Sequence, residues 1–217
     1  VVFDMIKVDV ETSGPVKTEA GMILNPPSKS FFIGETPVTQ ALWFEIEKKN
    51  PSHFKDKNRP VECVNWYDCQ EFLRTLSNAT GLDFALPTID QWRFAAIGGI
   101  KRRNYLYSGG NNVENVAWHI GNSGNSTHAV KQKMANELGI YDMSGNVYEW
   151  CADGLEIFDG YNISSNVVEN KNEHRRLACG GSWRTDFSSC QIFTGGVFFA
   201  DSHFDSVGLR IVLNSYQ

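Results

Sequence analysis

The hydrophobic pattern changes period several times along this chain, and each change marks an element. Residues 1–10 and 30–34 alternate apolar and polar positions in places, the period of strands, with Pro26-Pro27 in a loop between them. Thr39 precedes apolar Ala41, Leu42, Phe44 and Ile46, which predicts a capped helix to about Lys49, stopped by Asn50-Pro51. A polar loop follows over 52–59. Asn65, with Asp68 three residues on, opens a second helix to about Ala79, and Gly81 lies past its end. Thr88 with Gln91 forms a capping box for a third, to about Ile97 before Gly98-Gly99. Across 100–129 the periodicity is lost, and Trp118 is the expected anchor; irregular chain of this length in a compact domain points to functional or metal-organised loops. Residues 152–173 read as another polar loop, while 177–183 and 207–213 read as core strands. Three helices on a twisted, mostly antiparallel sheet with long irregular loops define an α+β domain. With no repeat, linker or low-complexity tract, 1–217 reads as one domain.

Composition sharpens this in three places. Six Trp and fourteen Phe can fill a substantial core, and nineteen Gly favour loops over a helical bundle. A net charge of −5 without a basic stripe gives no electrostatic case for nucleic acid; Lys101-Arg102-Arg103 and Arg175-Arg176 are short. No apolar run nears the ~18 residues that span a membrane, so no transmembrane segment is expected. The opening at Val1, without Met or a signal pattern, is expected of a trimmed or mature form and leaves the compartment unassigned. The five Cys, at 63, 69, 151, 179 and 190, fit neither zinc pairs nor a dense disulfide frame; most read as buried thiols, and the odd count leaves at least one free or paired with another chain.

The least ordinary run is Ile140-Tyr141-Asp142-Met143-Ser144-Gly145-Asn146-Val147-Tyr148-Glu149-Trp150. Ser144-Gly145-Asn146 breaks any helix or strand. Asp142 and Glu149, with the carbonyls of Gly145 and Val147, form an oxygen-rich turn that suits a hard cation such as calcium. The alternative is a polar turn between two strands with both carboxylates solvated.

Tyr141 to Trp150, then Gly180-Gly181-Ser182-Trp183 and Gly208-Leu209-Arg210, resemble the formylglycine-generating-enzyme (sulfatase-modifying factor) family. Gly34 to Gln40, Pro60-Val61 through Asn65-Trp66, Leu86-Pro87-Thr88 with Trp92, and Asn115 to Trp118 follow the family order upstream. The resemblance implies a variant of the C-type lectin fold. Because the family holds oxidases, sulfoxide synthases and non-catalytic binding proteins, the site must decide function. In the formylglycine-forming relatives two cysteines bind copper, and here those positions are Thr185 and Cys190. The His after the first cysteine is Asp186. One sulfur cannot make the two-thiolate site, so no copper is expected. Asn115 matches a calcium-binding position of the catalytic relatives, without recognisable acidic partners. The five His, at 53, 119, 128, 174 and 203, are scattered; His119 and His128 share a loop region and could approach each other. The rival reading keeps an enzyme with altered oxidative chemistry at Cys190 and Ser182; a third is a structural or accessory surface domain.

Residues 184–206 behave unlike the rest. They carry five Phe, at 187, 193, 198, 199 and 204, among Gly, Ser and Asp, a composition shared with antibody paratopes. The resemblance includes a retroelement-diversified subset whose variable region lies here, mutated at adenines of Asn codons. Such codons cannot become Lys, Glu, Met or Trp, and none of the chain's 34 residues of those types falls in the segment. Gln191 is the one residue outside the accessible set. The expectation is a non-catalytic protein that binds a protein or glycan, on a cell surface or a phage. Arg184, Thr185, Asp186, Phe187, Phe198, Phe199, His203 and Phe204 are expected to share one exposed or half-exposed recognition surface.

Overall fold

Local capping chemistry places the helices of this computed structural model, which describes residues 2–11, 14–17, 21–155 and 174–214. Helix α1, Gln40–Glu47, starts where the Thr39 side chain accepts from the Leu42 N–H and ends at Lys48 with φ 56°. Helix α2, Trp66–Thr80, has a reciprocal capping box between Asn65 and Asp68 and a left-handed Gly81 after it. Helix α3, Ile89–Ala96, opens on the box of Thr88 and Gln91. One short helix, α4, Val113–Val116, lies within the stretch expected to be irregular.

The strands build two four-stranded sheets. The first orders β1 (Met5–Val8), β4 (Phe31–Gly34), β10 (Val212–Asn214) and β5 (Phe84–Ala85), all antiparallel. The second orders β8 (Gly195–Phe199), β7 (Arg175–Cys179), β6 (Tyr148–Leu155) and β9 (Val207–Leu209), with β6 and β9 parallel. A small pair joins β2 (Val16–Lys17) to β3 (Ile23–Leu24).

Several expectations change here. The run at 177–183 is a strand only to Cys179, because Gly180 and Gly181 turn the chain with φ 98° and 73°. The run at 207–213 is two strands in different sheets, broken at Arg210. Strand β6 continues to Leu155 where a loop was expected; the rest of that loop, 156–173, lies outside the described residues. Segment 184–206 contributes a strand of its own, β8.

Strands β6 and β7 separate two cores. Trp150 and Ala178 face the core of α1 and α2, where Trp43 stacks on Phe72 at 4.7 Å. Cys151 and Cys179 face the other, with Trp92 and Phe94 of α3 and Val212 of β10. Side chains alternate across a strand, so this sheet can be covered on both faces. Arg210, wholly buried, sits at the break between β9 and β10 and ties the sheets together: it donates to the Gly34 carbonyl (2.8 Å), the Tyr141 carbonyl (2.7 Å) and Glu149 (2.7 Å).

Candidate functional site: the 184–206 face and the turn beneath it

The 140–150 turn is a frame for what lies above it. Asp142, Gly145 and Asn146 adopt positive φ of 57°, 77° and 64°. Gly145 crosses directly against the Trp118 backbone, where a Cβ would collide. The buried Asn146 side chain clasps His128, accepting from its N–H at 2.9 Å and donating to its carbonyl at 3.1 Å. The carbonyl of Asn146 then accepts the Trp183 N–H at 2.8 Å, one residue before segment 184–206.

The two calcium-directed carboxylates have other partners. Arg210 donates to both oxygens of Glu149, at 2.7 and 2.9 Å, and Trp92 Nε1 donates to one of them at 2.6 Å. Asp142 accepts the Lys131 N–H at 2.8 Å, and burial pushes its carboxyl up to about 6. A carboxylate held by a guanidinium, beside one whose charge burial disfavours, does not fit the six to eight oxygens calcium takes. The alternative, solvated carboxylates, does not match either: both are buried, and Arg210 reaches Glu149 from 61 residues away in sequence. His119 and His128 are engaged separately, His119 with Glu114 at 2.9 Å and His128 stacked on Trp118 at 3.7 Å.

At the position of the relatives' copper cysteines, the Thr185 hydroxyl accepts the Ser182 N–H (2.9 Å), and the Thr185 side chain also hydrogen-bonds Cys190. Burial pushes the Cys190 thiol up to about 12. A thiol that stays protonated at neutral pH is a poor nucleophile. The Ser182 hydroxyl is buried with no hydrogen-bond partner among the described residues.

Segment 184–206 is held through its backbone. The Thr185 carbonyl accepts from Ile120 N–H (2.9 Å), and Ile192 N–H donates to the Leu106 carbonyl (3.1 Å). The Ser144 hydroxyl donates to the Cys190 carbonyl (2.8 Å), and Ser123 to that of Trp183 (2.7 Å). Farther on, the Ala200 carbonyl accepts from Trp66 N–H, the Phe204 carbonyl from Cys63 N–H, and the Ser206 carbonyl from Tyr148 N–H, all within 2.9 Å. Two buried tyrosines support the turn from below: the Tyr148 side chain hydrogen-bonds Ser189 and Thr185, and the Tyr107 side chain bonds Gln191. None of these framework contacts was visible in the sequence, because each joins residues far apart along it.

Of the eight residues expected on one face, Arg184, Asp186, Phe187, Phe199 and His203 are exposed and Thr185, Phe198 and Phe204 half-buried. They divide by role. Phe198 turns inward, with ring centroids 5.4 Å from Tyr148, 5.8 Å from Trp150 and 5.2 Å from Phe204. Phe199 turns outward beneath the Arg175 guanidinium. Arg184 pairs with Asp205 and His203 with Asp68, while Asp186 caps the short 3-10 turn Phe187–Cys190. Val197, also outward, was not anticipated.

These features define a C-type lectin domain of the formylglycine-generating-enzyme type whose copper position lacks one sulfur. Residues 16–215 match the Sulfatase-modifying factor enzyme 1-like domain, and the chain belongs to that family. It is 33% identical over 238 residues to the chaperone protein LppX of Paenibacillus barcinonensis, covering 87% of this chain and 81% of that protein. Treponema denticola variable protein 1 superposes with a TM-score of 0.84 at 27% identity, covering 99% of this chain and 96% of that one. The Major Tropism Determinant U1 variant shares the fold alone, with TM-score 0.53, 10% identity and coverage of 97% and 55%.

Proposed function

We propose that this protein binds a protein or glycan ligand without catalysis, through outward side chains of 184–206, and that the segment is open to retroelement-directed exchange. The observation that carries the reading is the main-chain anchorage: carbonyls of residues 185, 190, 200, 204 and 206 and the N–H of residue 192 are held by residues outside the segment. Backbone hydrogen bonds do not depend on the side chain, so outward residues can change while the path of the chain stays fixed. Likeness to a protein called a variable protein supports the same reading.

The test compares the parent with a variant carrying Ser at Arg184, Asp186, Phe187, Phe199 and His203, on arrays of glycans and of bacterial surface proteins. The parent is expected to give signals that the variant loses while both melt together. Equal signals from both would remove the reading. Sequencing the locus across a cell population tests the exchange itself: substitutions should concentrate in codons for outward positions and spare Trp183, Ile192 and Ala200. The enzymatic alternative predicts copper-dependent oxidation of a cysteine peptide, which Thr185 and the protonated Cys190 argue against.

A further inference from the structure

Two apolar side chains outside the changeable segment stand at its rim. Leu106 is 51% exposed and Ile120 is 57% exposed, while Phe187 of the segment is 56% exposed. Their placement follows from the backbone: Ile120 is bonded to Thr185, two residues before Phe187, and Leu106 to Ile192 just after the 3-10 turn that carries Phe187. Three loops remote in sequence thus bring large uncharged side chains around one turn. A scattered exposed Leu needs no explanation, but three around the proposed recognition turn do.

We infer that the partner is a folded protein with an apolar surface patch, gripped by a constant edge of Leu106 and Ile120 as well as by the changeable segment. This rests on the reading of 184–206 as a recognition face. The chemistry favours protein over glycan: sugar hydroxyls require donors and acceptors, and these three side chains supply none. The size agrees too. Exposed to this degree, they offer roughly 300 Å² of apolar surface, a substantial share of the ~800 Å² that one side of a standard protein interface buries. A constant apolar anchor gives every variant a baseline of affinity from water exclusion, and the changeable side chains then select the partner.

The test uses the full chain displayed as a library randomised at Arg184, Asp186, Val197, Phe199 and His203, selected in parallel on lysozyme and on yeast mannan. Binders to lysozyme are expected. Introducing Leu106→Ser and Ile120→Ser into several independent binders should weaken each by about tenfold or more, with melting unchanged. Leu106→Ala and Ile120→Ala provide a milder pair should the serines lower melting. Affinities unchanged within about twofold, or binders on mannan alone, would overturn the inference while leaving the recognition face intact. No binder to either probe would overturn both.

Discussion

Arg210 and Glu149 form an ion pair with almost no water around it, and Trp92 and two carbonyls complete its hydrogen bonding. Removing one partner of such a pair strands the other charge. Arg210→Met is expected to destabilise the fold by about 3–5 kcal/mol, read as a lower urea midpoint. Asp142 makes a pH-dependent contribution. Its carboxyl is held up at about 6, above the ~3.9 of an unfolded chain, so the native state binds this proton more tightly. The stabilisation from that proton is complete below about pH 4 and is lost as pH rises through 6; above that the buried charge is a standing cost. Asp142→Asn should therefore raise stability at pH 7–8 by about 1–3 kcal/mol and flatten the profile between pH 4 and 6, measured in chelator. Asn tolerates the positive φ at this position. Chelator alone should leave the parent's melting temperature unchanged, since a guanidinium already neutralises Glu149. A fall on chelation would restore calcium to the turn. The sequence showed the carboxylates; it could not show that a residue 61 positions later supplies the cation.

Elements whose signals are local were legible. Each capping box names its own helix start, because donor and acceptor lie three residues apart. Strand β8 was not, because Gly195-Gly196 reads as a turn and Val197-Phe198-Phe199 has no polar alternation to fix a face. Only pairing with β7 decides which Phe is inside. The two neighbours should consequently behave oppositely. Phe198→Ser removes ring contacts with Tyr148, Trp150 and Phe204 and should cost about 2–4 kcal/mol in chemical denaturation. Phe199→Ser, at a site 43% exposed, should stay within about 0.5 kcal/mol. Equal losses would mean that β8 is registered differently from the pairing described.

At the scale of the molecule, the ordered motifs announced the fold but not how the sheets interlock. A run of seven residues, 207–213, read as one strand because apolar residues flank Arg210 on both sides. In the structure it serves β6 on one side of Arg210 and β4 with β5 on the other. That division has a consequence for how the gene tolerates error. Both sheets wait for residues made after segment 184–206: β9 completes one, and β10 lies in the middle of the other. A stop codon or frameshift anywhere in 184–206 deletes both strands together with Arg210. Such a chain leaves two sheets unfinished and Glu149 buried without its counter-charge, a state that aggregates or is degraded. Reading frame is thus proofread by folding: only messages translated in frame past the segment yield a protein that survives to display it.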